Sequence, residues 1–295
     1  MSLNEHQKGL AAGVFCFLFW GIAPVYFKFL KEVPAISIIA HRIIWGAFFL
    51  FVFLLIRDHK KLFQAMKISP RQFLVLCISG LLVSSNWVVF VWAVTHDQIL
   101  ATSLGYFINP LINILLGMLF LQERLSKPQV VAVLIASGVT IYLGIYLKQP
   151  PWIALFLAIT FGLYGLIRKK LQVRPLIGLF WETLILIIPA IVYLLYFAPQ
   201  SNYVTPTNLI YSLLFFAGLV TVLPLVSFNY AAHRLSLTLI GFLQYIGPSL
   251  SFLVAVIFYG EDFTFGYQVA FGGIWLALII VSWKPFKRLV RSGFN

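Results

Sequence analysis

Two charged side chains lie where a helix surrounded by lipid could not keep them. Arg42 falls about eight residues into an apolar run, roughly 12 Å deep at the helical rise of 1.5 Å per residue. Glu182 is the one carboxylate placed well inside such a run. A charge at that depth is costly unless it meets water or a partner. A guanidinium offers a fork that holds a carboxylate or carbonyl through paired hydrogen bonds. A carboxylate kept out of water has reason to carry a proton or a cation, and His41, beside Arg42, titrates near neutrality even when unperturbed. Arg42 is therefore a candidate anchor for a solute, and Glu182 and His41 are candidates for proton coupling. Against these stand structural readings: Arg42 reaching toward an interface or a backbone carbonyl, His41 as a hydrogen-bonded core residue, and Glu182 as a partner that neutralises Arg42.

Polar stripes accompany these charges. Tyr106, Asn109, Pro110 and Asn113 recur at i, i+3, i+4 and i+7, as do Gln244, Gly247, Pro248 and Ser251, so each set shares one face of a helix that is otherwise apolar. Pro110, Pro248 and Pro24 each remove a backbone donor and free a carbonyl, which a lined cavity tolerates and lipid does not. Among 29 Phe, 13 Tyr and 8 Trp, many rings must face lipid or the interfaces. Those nearest the stripes and charges are Trp20, Trp45, Trp87, Phe90, Phe161, Tyr164 and Tyr245, with Asn86 beside Trp87. Together with His41, Arg42, Tyr106, Asn109, Asn113, Glu182, Gln244 and Ser251 they make up the candidate solute-binding set. Such a pocket suits a planar or partly apolar solute fixed by a few polar groups.

The elements that must position these residues follow from composition. Apolar residues fill 61% of 295 positions, charged residues only 10%, and mean hydropathy is +0.97, values that predict an integral membrane protein. About 20 apolar residues span the hydrocarbon core as a helix. Ten such runs are found, near 8–29, 34–56, 72–94, 98–121, 128–147, 151–168, 176–197, 208–231, 236–259 and 266–284. The first continues through Trp20 and Pro24 without a cleavage site and is expected to be a span, not a signal peptide. The gaps are short, so 1–295 is expected to form a single membrane domain. One set of alternate gaps and ends holds 17 of the 21 Lys and Arg, which predicts both termini in the cytoplasm. The net charge of +13 sits in those gaps and not on one solvated face, so no nucleic-acid partner is expected. Cys16 and Cys77 lie in different runs and form no spaced pair.

One half of the chain echoes the other. At an offset of 138, Phe90 matches Phe228, Ala93 matches Ala231, and NPLINILLGMLFLQE (109–123) lies over GPSLSFLVAVIFYGE (247–261). At an offset of 141, Gly21 matches Gly162 and His41 falls on Glu182. Residues 8–147 thus form a first five-helix repeat and 151–284 a second. Five is odd, so the second copy enters the membrane from the opposite side, and Glu123 and Glu261 end equivalent helices at opposite faces. Inverted repeats are the usual build of secondary transporters, with sites near the midplane between the halves. Helices 1 to 4 and 6 to 9 are expected to surround a cavity, with helices 5 and 10 outside it. The pairs Gly9 and Gly13, Ala132 and Ala136, and Gly273 and Ala277 are spaced for close helix packing within one copy or between two, so a monomer and a homodimer both fit.

The segments FWGIAPVYFK (19–28), HRIIW (41–45), SLGYFINPLINILLGMLFLQER (103–124), YGLIRKK (164–170) and GFLQYIGPSLSFLVAVIFYGE (241–261) resemble the RarD-like members of the EamA group in the drug/metabolite transporter superfamily. The similarity runs over nearly the whole chain. It implies an all-α fold of ten transmembrane helices as five plus five in inverted repeat, located in an inner membrane.

Missing patterns narrow the mechanism. There is no GxxxxGK[ST] loop for nucleotide phosphates and no HExxH helix for a metal, so no cofactor, metal site or ATP hydrolysis is expected. An intramembrane enzyme would need a nucleophile with its base, or paired carboxylates, and Glu182 has no carboxylate mate in the sequence. The reading that fits is a secondary transporter of a small metabolite or drug, working by alternating access. A channel or facilitator without coupling is the second reading.

Overall fold

A computed structural model describes residues 5–65, 67–122, 124–171, 173, 175–198, 208–232, 234–235, 240 and 243–292. Among them the elements are helices α1 (Glu5–Lys28), α2 (Ala35–Ala65), α3 (Pro70–Thr95), α4 (Ile99–Leu121), α5 (Lys127–Tyr146), α6 (Trp152–Lys170), α7 (Pro175–Tyr196), α8 (Asn208–Ala232), α9 (Ile246–Leu253, continued by a wider π-helical turn Val254–Phe258) and α10 (Phe265–Ser292). Eight of these are long and apolar enough to cross a membrane, and the apolar stretches Trp152–Arg168 and Ile246–Phe258 are shorter. Side chains such as Ile56, Leu134, Ile145, Ile188 and Phe258 project from the bundle, as an apolar solvent requires.

Local chemistry fixes several helix starts. Ser69 accepts a hydrogen bond from Gln72 N at 3.2 Å, and Gln72 Oε1 accepts from Ser69 N at 2.9 Å; with Pro70 in the first turn this closes a capping box at the head of α3. Ser126 and Gln129 start α5 in a similar way, with 2.8 Å between Ser126 N and Gln129 Oε1. The head of α4 is capped from outside its own repeat. Glu261, beyond α9, accepts from Ile99 N at 2.7 Å and from Leu100 N at 2.8 Å, satisfying two donors that the helix leaves orphaned. Glu123, its counterpart in the sequence, lies outside the described residues.

The most extensive helix pairs form a pattern that is kept when each helix is exchanged with the one five places on. α4 packs on α6 as α1 packs on α9; α3 packs on α6 as α8 packs on α1; α2 packs on α8 as α7 packs on α3. The pairs α2 with α7, α4 with α9 and α5 with α10 map onto themselves. The correspondence extends to single residues. A Cβ on Gly21 would lie 2.7 Å from Leu250 Cβ, and one on Gly162 would lie 2.9 Å from Ile112 Cγ2; 21 and 162 are equivalent positions, as are 112 and 250. Asn109 Nδ2 donates to the Ala158 carbonyl at 3.1 Å, and the equivalent Gly247 lies against the carbonyl of Phe17, the equivalent of Ala158. The five-plus-five repeat is therefore built into the packing.

α5 and α10 pack chiefly on each other, with Gly273 against Val139. Gly9 and Gly13 pack against Arg234, Leu235 and Leu243, so these small residues serve seams inside the chain. One expected element differs. The ninth run was read as one helix from 236, yet among the described residues Ile240 and Leu243 are helical, Gln244 and Tyr245 lie in a turn, and the helix resumes at Ile246. Gln244 is thus not on one continuous helical face with Gly247, Pro248 and Ser251. Pro248 lacks the N–H that would bond the Gln244 carbonyl, which removes the reason for the helix to run straight through.

Close packing makes a direct expectation for glycine. A methyl on Gly218 of α8 would overlap the backbone of Trp45 and Gly46 in α2, whereas Gly138 of α5 has nothing within 4 Å. Gly218→Ala is expected to cost about 1–3 kcal/mol through overpacking. Gly138→Ala is expected to be neutral or stabilising by up to ~1 kcal/mol through helix propensity. Thermal unfolding of the two purified variants in one detergent checks the contrast; equal midpoints would contradict it.

Candidate functional site

Side chains from six helices form a continuous series through the bundle. At one end the Arg42 guanidinium of α2 lies 4.3 Å from the Trp87 ring centroid of α3 and 5.6 Å from that of Phe27 in α1, both within cation–π range. Its Nε donates to Thr221 Oγ1 of α8 at 2.5 Å, and Arg42 is only 8% exposed. Phe27 then meets Phe90 (6.1 Å between centroids), Phe90 meets Tyr106 (5.9 Å), Tyr106 meets Phe161 (6.2 Å) and Phe161 meets Tyr164 (6.0 Å). The first three contacts are edge-to-face, the geometry favoured by ring quadrupoles.

At the other end stands Glu182, 1% exposed. Its Oε1 accepts from Ser79 Oγ of α3 at 2.5 Å, and its Oε2 accepts from Tyr164 OH of α6 at 3.3 Å. Arg168 Nη1 lies 3.6 Å from Glu182 Oε1. Glu182 therefore pairs with Arg168 and not with Arg42, which removes the alternative reading that it neutralises Arg42. The reason is geometric: Arg42 is met by Thr221 and two rings, while Arg168 from the last turns of α6 folds back toward α7.

The structure brings together Arg42, Trp87, Phe90, Tyr106, Phe161, Tyr164 and Glu182. It places others elsewhere. Trp20 packs with Phe17 and Phe228, Trp45 with Phe48 and Phe215, and Tyr245 stacks on Phe107. The polar amides hold helices. Asn86 Nδ2 donates to the Leu157 carbonyl at 2.9 Å and to Thr160 Oγ1 at 2.8 Å, tying α3 to α6. Asn113 donates to Asn109 Oδ1 at 3.0 Å, and Ser251 donates to the Gly21 carbonyl at 3.1 Å. His41 is half-buried and makes no side-chain hydrogen bond among the described residues. Pro24, Pro110 and Pro248 each lie inside a helix, and the Pro248 carbonyl accepts from Ser103 Oγ at 2.7 Å.

Sequence reasoning missed Phe27, Ser79, Arg168 and Thr221. Arg168 stood in the basic run RKK and was counted as an interfacial charge. Its i, i+3, i+7 relation to Phe161 and Tyr164 was the available signal. Thr221 and Phe27 carried none, being ordinary residues in apolar runs.

Among the described residues no group of His, Cys, Asp and Glu is arranged to hold a metal ion. An apolar groove of about 540 Å³ near Thr140, Gly144, Lys148 and Pro150 opens at the end of α5. It lies away from the charged series and presents little polar surface for chemistry.

A multi-pass helical bundle with a five-plus-five repeat and an interior charged and aromatic series defines a membrane transporter of the drug/metabolite superfamily. The chain belongs to the EamA-like transporter family, in its RarD-like group. The family profile matches residues 7–146, ending where α5 ends. A Vibrio cholerae protein named as an uncharacterized transporter is 45% identical over 96% of this chain and 95% of its own length. Protein RarD of Salmonella typhimurium is 43% identical over 95% of this chain and 96% of its own length. A solved structure that covers 92% of this chain and 96% of its own shares the fold at a TM-score of 0.63 and 17% identity.

Proposed function

We propose that this protein is a secondary transporter, without catalysis, for a small planar or partly apolar solute carrying an anionic or carbonyl acceptor, moved by alternating access and coupled to protons through Glu182. The basic end of the bundle faces the cytoplasm of an inner membrane in this reading. One observation carries it. The Arg42 guanidinium is buried and held from its Nε and its faces, and among the described residues Nη1 and Nη2 donate to no protein acceptor. A buried guanidinium demands such an acceptor, and a solute can supply it. The neighbouring rings Trp87, Tyr106, Phe161 and Tyr164 are half-buried, offering apolar faces to the remainder of the solute.

The test begins with thermal shift on purified protein, using aromatic carboxylates and aryl amides against alkyl amines of equal size. Acceptor-bearing compounds are expected to raise the midpoint, because binding stabilises the folded state by mass action. The best binder, radiolabelled, is then expected to exchange saturably across proteoliposomes. Flux linear in concentration would favour a channel, and chemical conversion of the compound an enzyme.

A further inference from the structure

The end of the series at Glu182 contains a fitted contact. Phe161, Tyr164 and Arg168 share one face of α6. Arg168 lies in the last turn of that helix, yet its side chain is only 13% exposed and its guanidinium lies against the first turn of α7. Gly178 makes the room. A methyl there would overlap Nη1, Nη2 and Cζ of Arg168, so a side chain at this position would force the guanidinium to shift from its seat.

Glu182 is held independently of that seat, through Ser79 and Tyr164. The 3.6 Å from Arg168 Nη1 to Glu182 Oε1 exceeds hydrogen-bond length, so this contact rests on charge. The polar groups facing the carboxylate are Arg168 and Tyr164 from α6 and Ser79 from α3; its neighbours along α7, Leu179 and Leu186, are apolar and buried.

We infer that Gly178 is a positioning residue for a releasable lock: it seats Arg168 against Glu182 and so joins α6 to α7 at the basic end of the aromatic series while Glu182 is charged. A proton taken from water by the carboxylate cancels its attraction for Arg168. Ser79 and Tyr164 still hold the neutral acid. Arg168, close to its helix end, then extends toward the polar boundary. The lock rests on the reading of Glu182 as the coupling group, since it states what the proton does.

The experiment needs no known solute. In full-length protein carrying Cys16→Ala and Cys77→Ala, Phe161→Cys places one thiol two turns inward of Arg168. An uncharged, membrane-impermeant maleimide with a short glycol chain is applied to the basic end in sealed vesicles. Glu182→Gln, Arg168→Gln and Gly178→Ala are each expected to speed labelling roughly fivefold or more, the scale of losing a modest stabilising contact. Adding Arg168→Lys to Gly178→Ala should return the rate toward that of Arg168→Lys alone, because a single ammonium on a flexible stem needs no notch. That rescue separates positioning from general loosening. Divided by the rate at which the unfolded protein's thiol is labelled at the same pH, which removes the thiol's own titration, labelling should also quicken as pH falls, and this normalised rate should stop responding in Glu182→Gln.

Folded Gly178→Ala that labels at the parent rate, or is not rescued by Arg168→Lys, overturns the positioning role. If Gly178→Ala does not fold, unchanged labelling in Arg168→Gln and Glu182→Gln overturns the lock. Variants that open while the parent ignores pH would leave the lock standing and remove proton coupling.

Discussion

Arg42→Leu is expected to lower solute exchange by roughly two orders of magnitude, the scale for truncating one partner of a buried, hydrogen-bonded charge pair. Expression and thermal stability should change little. Leucine approximates the apolar part of the side chain, it removes a charge that is costly to bury, and Thr221 Oγ1 keeps its bond to the Ala217 carbonyl at 3.1 Å. Arg42→Lys is the finer probe. A point charge cannot reproduce the planar fork or its stacking on Trp87 and Phe27, so this variant should also be impaired, though less. Exchange assays in proteoliposomes, normalised to folded protein, give the answer; Arg42→Leu exchanging at the parent rate would remove the anchor.

Glu182→Gln is expected to abolish gradient-driven accumulation while leaving downhill exchange measurable. With one proton carried per solute, a one-unit pH gradient supports at most about tenfold accumulation, and the variant should reach only the equilibrium level. The amide keeps an oxygen that can accept from Ser79 and nearly the same volume, so packing at this 1% exposed site is preserved. Arg168 loses the attraction of Glu182, but near the end of α6 it can extend toward water. Uptake with and without an imposed pH gradient, in parent and variant, decides the matter. Accumulation that survives in Glu182→Gln would remove Glu182 from the mechanism, and a parent indifferent to the gradient would remove proton coupling.

These outcomes depend on residues that were unequally legible. Ten apolar runs, one biased set of basic gaps and an offset of 138 between the stripes determine a multi-pass bundle with two copies of one unit. That much is local, because span length, loop charge and periodicity are properties of neighbouring residues. The depth of Arg42 and Glu182 was equally local, being a count of residues from a helix end. Their cost in lipid made them stand out before any contact was known.

Only the tertiary structure decided what those charges meet. Periodicity assigns residues to a face of a helix and says nothing of which other face lies opposite. Hence Asn86 and Asn109, polar residues in apolar runs, proved to bond the backbone of α6 at Leu157 and Ala158, and Glu182 proved to pair with Arg168 where Arg42 was the expected alternative. Phe27 and Thr221, unremarked in sequence, became the supports of Arg42 because α1 and α8 cross beside it. Gly178 shows the limit most sharply. Its identity in the sequence says that a Cβ is absent, whereas the reason for the absence is a guanidinium arriving from another helix, and helix crossings are set by the packing of the whole bundle.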